Sequence, residues 1–375
     1  MKLTCQRDGL LMACQLVSSV VPTRTPNAAL SCVKVVAQDD GLTLIAFDTE
    51  VGIRYELRGI TVMRAGSAIV PIHQLTQILR ESTEDEIRLD SSAELTTVKV
   101  GTSRFELPTR PVDEFPDIPA FDDGGRYHEI TASILRTLIR RTAFAADKKD
   151  SGGRYALKGV LWEAEGRQAR LVATDTKRLA LCEGPATVYG TAETIKTSPV
   201  IPLKAITLLE RNLIDDGELV RIGLRTNDAQ FQTERAMIYT TLVQGRYPPY
   251  REIIGQNRKA ATVTVTVPVE GFLTRVRQAK IMTDEESQRI DMAFEPGKVK
   301  MSARGAATGA SEVELPLPEF NGPPLKIAFN AEYLVEFLRA LEGETTVTLE
   351  MIDGSKPAVF KCGENYVYLV MPLAG

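Results

Sequence analysis

Histidine is nearly missing from this chain of 375 residues, which has only His73 and His128, and there is a single tryptophan. So few imidazoles leave little material for histidine-based acid–base chemistry or His-rich metal sites. Cysteine is sparse as well. Cys5, Cys14, Cys32, Cys182 and Cys362 are odd in number, widely scattered and never in close pairs. That pattern excludes metal knuckles, CxxC redox motifs and a disulfide framework, and it predicts reduced packing residues in a cytoplasmic protein. No apolar run nears the roughly 18 residues of a membrane span, so no span is expected. There is no low-complexity tract and no like-charge block, and the net charge is only −4. The chain should therefore be folded nearly throughout, and its surface as a whole is not that of a general polyanion binder.

What is present is repetition. At 375 residues the chain exceeds what one hydrophobic core usually serves, so two or three domains are expected. The same three-part order recurs at a period of roughly 125 to 135 residues, too long for a solenoid. First comes a strand running into a helix: KLTCQRDGLLMACQLVSSVV from Lys2, EITASILRTLIRRTAFAA from Glu129 and VTVPVEGFLTRVRQAKIM from Val265. Each alternates briefly, then places apolar residues at helical spacing, as with Leu135, Leu138 and Ile139. Next comes a pair of alternating strands joined by a tight polar turn: LTLIAFDTEVGIRYEL from Leu42, ARLVATDTKRLALCE from Ala169 and VKMSARGAATGASEVEL from Val299. A second strand-into-helix segment follows, beginning at Ala68, Pro199 and Leu325. The pattern predicts an α+β fold of three domains, each with two helices on antiparallel strands. The Pro-rich stretches Pro108 to Pro119 and Tyr247 to Ile254 read as linkers, which gives domains 1–125, 126–256 and 257–375.

Charge is unevenly spread over these elements. The helical spans 7–19, 72–81, 131–146, 202–212, 270–282 and 331–342 carry a net +4, which leaves −8 on the remainder. Arg136, Arg140 and Arg141 lie on one helix and Arg275, Arg277 and Lys280 on another, with Lys148, Lys149 and Arg154 just beyond the first. Cationic helices on an acidic body suit a protein that turns its helices toward phosphate without reading bases. Ordinary solvated helix faces would look the same.

Three strings narrow the reading. VATDTKRLAL (Val172 to Leu181), GRYPPY (Gly245 to Tyr250) and YLVMPL (Tyr368 to Leu373) stand at matching places in the three-unit order. Together they resemble motifs of the bacterial sliding clamp family, the beta subunits of DNA polymerase III, and the resemblance covers the whole chain. It implies a DNA clamp fold in which one chain forms half of a closed ring, with no catalysis, no cofactor and no metal. Implied partners are duplex DNA held topologically and without sequence preference, the replicative polymerase, the clamp loader, other polymerases and repair proteins, and a second copy of the chain. No membrane is implied.

Carried over residue by residue, the family's peptide groove is Leu157, Thr174, Thr176, Lys177, Arg178, Leu179, Pro248, Ile253, Leu369, Val370, Met371, Pro372 and Leu373, with Asn330 and Tyr333 nearby. Leu, Ile and adaptable Met would supply apolar pockets, and the prolines rigid walls. Thr176 and Lys177 depart from the family's Gly-His, which puts partner preference in question. The implied DNA-facing cations are Arg24, Arg136, Arg140, Arg141, Lys148, Lys149, Arg154, Lys204, Arg251, Arg275 and Arg277. The implied dimer contact sets Phe105 and Leu107 of one copy against Ile281 and Met282 of the next. In the arrangement the resemblance implies, with two helices of each unit around the hole, twelve helices spaced about 9–10 Å apart enclose a hole of about 25 Å, whereas six leave only about 8 Å. A duplex about 20 Å wide therefore needs two chains.

Two other readings stay open at this level. Asp48, Glu50 and Asp175 could serve a carboxylate-pair hydrolase, although their hairpin positions suit backbone capping. A repeated scaffold that binds peptides and never touches DNA would share the groove and the repeats but not the ring.

Overall fold

Each strand-into-helix segment of the pattern folds as one. The computed structural model describes residues 1–148, 156–190 and 199–374. Among these are seven α-helices: α1 Arg7–Ser18, α2 Ile72–Glu81, α3 Ala132–Thr142, α4 Leu203–Asn212, α5 Tyr250–Lys259, α6 Val269–Lys280 and α7 Ala331–Arg339. Strands Lys2–Gln6, Tyr127–Thr131 and Val263–Pro268 lead into α1, α3 and α6. The second set, Gly66–Val70, Val200–Pro202 and Leu325–Asn330, leads into α2, α4 and α7. In α2 the buried Ile72, Leu75, Thr76 and Leu79 make one stripe at helical spacing. Pro71, Pro202 and Pro268 stand at the entries of α2, α4 and α6, where a fixed φ helps and a missing amide costs nothing. α7 starts on Asn330, whose side chain accepts from the amides of Glu332 (2.9 Å) and Tyr333 (3.3 Å).

α5 corrects the sequence reading, which had its first turn as linker. Its Tyr250 and Ile254 are buried one turn apart, Glu252 sits in the first turn, and Arg258 and Lys259 close the last, as the helix dipole favours. The preceding Pro248-Pro249 pair masked this signal, because consecutive prolines read as extended chain.

Three repeats in sequence form two compact units in space. Unit 1 comprises Met1–Ile134 with Ala186–Leu242, and unit 2 comprises Leu135–Pro185 with Val243–Gly375. The reason is strand pairing. In unit 1, Ala236–Thr241 of the second repeat pairs antiparallel with Val51–Arg58 of the first, inside one nine-stranded sheet. In unit 2, Arg178–Pro185 of the second repeat pairs with Tyr366–Val370 of the third. An edge left open by one repeat is thus closed by the next, so its backbone groups are satisfied.

Unit 1 also contains a five-stranded sheet whose outer strand is Ser103–Pro108. In unit 2, seven strands run in the order Gly159–Glu165, Gln168–Thr174, Arg178–Pro185, Tyr366–Val370, Ala358–Cys362, Thr346–Met351, Val263–Pro268. A separate four-stranded sheet in unit 2 ends on Gly309–Leu317. One face of the seven strands buries Trp162, Tyr366, Tyr368 and Phe360, with Phe337 of α7 stacked on Tyr368 at 4.4 Å. The five cysteines are buried and unpaired. Among the described residues, no helix is long and apolar enough to cross a membrane.

Candidate binding groove

The second repeat's hairpin sets the geometry. Strands Gln168–Thr174 and Arg178–Pro185 are joined by a turn whose Asp175 Oδ1 accepts from the amides of Lys177 and Arg178, both at 3.0 Å. This is the capping role expected of the aspartate, and it leaves the carboxylate no vacancy for chemistry. Asp48 does the same in unit 1, accepting from Glu50 (3.0 Å) and Val51 (2.6 Å). His73 is exposed on α2, and burial, followed by the charge of Arg126, holds His128 neutral down to about 4. No acid–base pair is assembled from these groups.

Thr174, Leu179 and Leu369 lie side by side in register on one face of the sheet. All three are buried, as is Leu157. The C-terminal run is tied to the same hairpin: the Met371 amide donates to Lys177 O at 2.8 Å and the Leu373 amide to Ala328 O at 2.8 Å. Pro248 follows Tyr247, whose phenol donates to Val172 O at 2.9 Å, and Ile253 lies on α5. α5 is moored through Glu163, which accepts from the Tyr250 phenol at 2.6 Å and Arg251 at 2.7 Å. Met371 is 42% exposed, Thr176 and Lys177 are exposed, and Pro248, Ile253, Tyr333, Pro372 and Leu373 are half-buried. An apolar floor with a partly exposed apolar rim is what a short extended peptide needs.

Two residues of the sequence-derived set do not belong to that floor. Strand alternation turns Arg178 and Val370, which pair with each other, to the opposite face from Leu179 and Leu369. Val370 is fully buried, and Arg178 lies inside the unit beneath the groove. Asn330 acts as the helix cap described above.

The first repeat explains why the groove has no open duplicate in unit 1. There Phe47, Gly52 and Tyr239 hold the register positions of Thr174, Leu179 and Leu369. Phe47 and Tyr239 pack with Phe115, Ile118 and Phe121, and a Cβ on Gly52 would come within 2.7 Å of Ile118 Cδ1. Aromatic side chains fill the place that Thr174 and Leu369 leave shallow.

Thr176 has a φ of +74° and Thr49, its counterpart, +84°. A β-branched residue in this region is strained by about 1–3 kcal/mol. Thr176→Gly is therefore expected to raise stability by about 1 kcal/mol, read as a higher urea midpoint, after allowing for the unfolded-state entropy of glycine. A lower midpoint would show that the turn is relaxed as it stands.

The expected cations differ in partners and in exposure. Arg141 turns inward, pairing with Glu344 at 2.6 Å and lying 5.2 Å from the Tyr366 ring centroid. Lys148 pairs with Glu336 at 2.9 Å, Lys204 with Asp48, Arg251 with Glu163, and Arg275 donates to Gln278 at 2.9 Å. Arg24, Arg140 and Arg277 are exposed and Arg136 is half-buried. Lys149 and Arg154 lie outside the described residues. Of the expected subunit contacts, Phe105 is 39% exposed and Ile281 68%, Met282 is half-buried, and Leu107 is buried in its own unit at 6%. Two apart in one strand, Phe105 and Leu107 share a face of the sheet, and along that face Leu107 is covered by its own unit while Phe105 is left exposed.

Known proteins bear directly on this arrangement. Models of the DNA polymerase III beta subunit match in order: its N-terminal domain at residues 1–119, its central domain at 129–249 and its C-terminal domain at 253–374. The chain is 31% identical over 382 residues to the beta sliding clamp of Pseudomonas aeruginosa and 28% identical over 376 residues to that of Haemophilus influenzae, with 100% of each chain covered. The crystal structure of the DNA polymerase III subunit beta from Pseudomonas aeruginosa superposes with a TM-score of 0.89 at 30% identity, covering both chains fully. A sliding clamp of that organism bound to griselimycin gives 0.91 at 29% identity, again over 100% of both chains.

Proposed function

The chain belongs to the DNA polymerase III beta-subunit family, and from that membership we propose that two copies close head to tail into a ring around duplex DNA. It is a sliding clamp, a non-catalytic subunit that keeps a replicative polymerase on its template. The observation that carries this is the match of all three family domains, in order, along one chain.

Ring closure is supported by the outer strands Ser103–Pro108 and Gly309–Leu317, which offer unpaired backbone edges beside exposed Phe105 and Ile281. The domains proposed are residues 1–125, 126–256 and 257–375. The groove of Leu179, Leu369, Pro248, Ile253 and Met371 to Leu373 is assigned to short apolar segments of the polymerase, the clamp loader, and other polymerases and repair proteins. Exposed Lys177 favours segments that carry a carboxylate. DNA is assigned to the outward cations, Arg24 foremost, as a sequence-independent contact. A cytoplasmic location is supported by five buried, unpaired thiols, which a reducing compartment preserves.

Size-exclusion chromatography with light scattering tests the assembly. A species of twice the 41.2 kDa chain mass is expected at micromolar concentration. A chain that stayed monomeric would overturn the ring and leave a peptide-binding scaffold in its place.

A further inference from the structure

We propose that Glu336, on the inner side of α7, is a positioning residue of the peptide groove. This rests on the groove assignment above. The argument begins with Arg178, a guanidinium only 5% exposed. A buried charge must be paired and its donors satisfied, or the site reorganises. Arg178 Nε donates to Asp175 Oδ2 at 3.0 Å, Nη2 to Phe144 O at 2.8 Å, and Nη1 to Glu336 Oε2. Its plane covers the Tyr333 ring, 4.3 Å from the centroid.

Asp175 thus has two tasks. One oxygen caps the turn at Lys177 and Arg178, and the other helps to neutralise Arg178. Because Lys177 O holds the Met371 amide, the position of the C-terminal run depends on that turn. Glu336 takes part of the guanidinium's demand and so lets Asp175 remain a cap. Its other oxygen accepts from Lys148 Nζ at 2.9 Å, which balances two carboxylates with two cations. Burial alone would raise the Glu336 carboxyl, but the hydrogen bonds from Arg178 and Lys148 outweigh it and hold the group below the usual range. The contacts run unbroken from α7 to the groove rim: Glu336, Arg178, Asp175, Lys177, Met371.

The test measures binding of a fluorescein-labelled extended peptide, carrying three large apolar side chains and one aspartate, by anisotropy to the full-length protein. Its apolar side chains suit the floor and its carboxylate suits Lys177. Glu336→Gln keeps the shape, removes the charge, and is expected to weaken binding about tenfold. Glu344→Gln is the control, because it breaks a similar arginine pair in the same unit, Arg141 with Glu344 beside Tyr366. It should lower the urea midpoint comparably and leave peptide affinity within about twofold. A third protein ends at Val370 and should not bind. If the wild type fails to bind, or the shortened chain binds equally well, the groove assignment falls and takes the proposal with it. If those two behave as expected and Glu336→Gln binds like the wild type, the positioning role alone is overturned. Equal weakening by Glu336→Gln and Glu344→Gln would reduce the effect to general destabilisation and also overturn it.

Discussion

A chain that stops at Val370 is expected to form the normal dimer and to give no stimulation of its polymerase. The two halves of that result come from different parts of the structure. Strand Tyr366–Val370 is paired on both sides, with Arg178–Pro185 and with Ala358–Cys362, and its side chains are buried. It survives the truncation. Beyond it, Met371 and Leu373 contribute one backbone hydrogen bond each, at the Lys177 and Ala328 carbonyls. Losing both costs about 1–3 kcal/mol at a partly exposed chain end. The proposed subunit contacts at Phe105 and Ile281 are untouched. Partner binding, by contrast, would lose three apolar side chains that a bound peptide covers. At about 1.5–3 kcal/mol for each large one, affinity should fall by about a thousandfold or more. Primer extension with loader and polymerase measures the stimulation, and light scattering measures the dimer. Undiminished stimulation would remove the groove from this place, and loss of the dimer would make the C-terminal run structural.

The second large effect concerns DNA. The dimer, once loaded on a nicked circle, should co-elute with it through high salt, and cutting the circle once should release nearly all of it. Direct affinity cannot do that work here. Lys148, Lys204, Arg141 and Arg251 pair with carboxylates of the protein itself, which weakens their pull on phosphate. A handful of exposed cations such as Arg24 and Arg277 gives weak contact that falls steeply with salt. Retention must then come from enclosure, and enclosure ends when the DNA has an end. Equal retention on linear and circular DNA would replace the ring with ordinary binding.

Much of this was legible in the order of residues. Apolar spacing located six of the seven helices among the described residues within a few residues, and the Asp-Thr turns located two of the hairpins, because both signals are local. The strings around Thr174, Pro248 and Leu369 were likewise visible as motifs. α5 was not, since two prolines in front of it imitate a linker. Glu336 was missed for a different reason: nothing near it in sequence requires a half-buried carboxylate. A signal did exist in Arg178, which sits in an apolar strand where a charge must find partners.

By itself, then, the sequence determined the triple repeat and the helix and strand periods, and its three motifs carried the resemblance to the family. The repeat and the periods follow from short-range periodicity and residue type. Only the tertiary structure decided that three repeats share strands to make two units, that Leu179 and Leu369 face the groove while Arg178 and Val370 face away, and that Phe47 and Tyr239 close the groove's counterpart. It also decided that Arg141, Lys148, Lys204 and Arg251 pair with carboxylates distant in sequence. Each of these depends on which distant strand supplies the next edge and which carboxylate lies across from a given cation, and residue spacing along the chain carries no record of either.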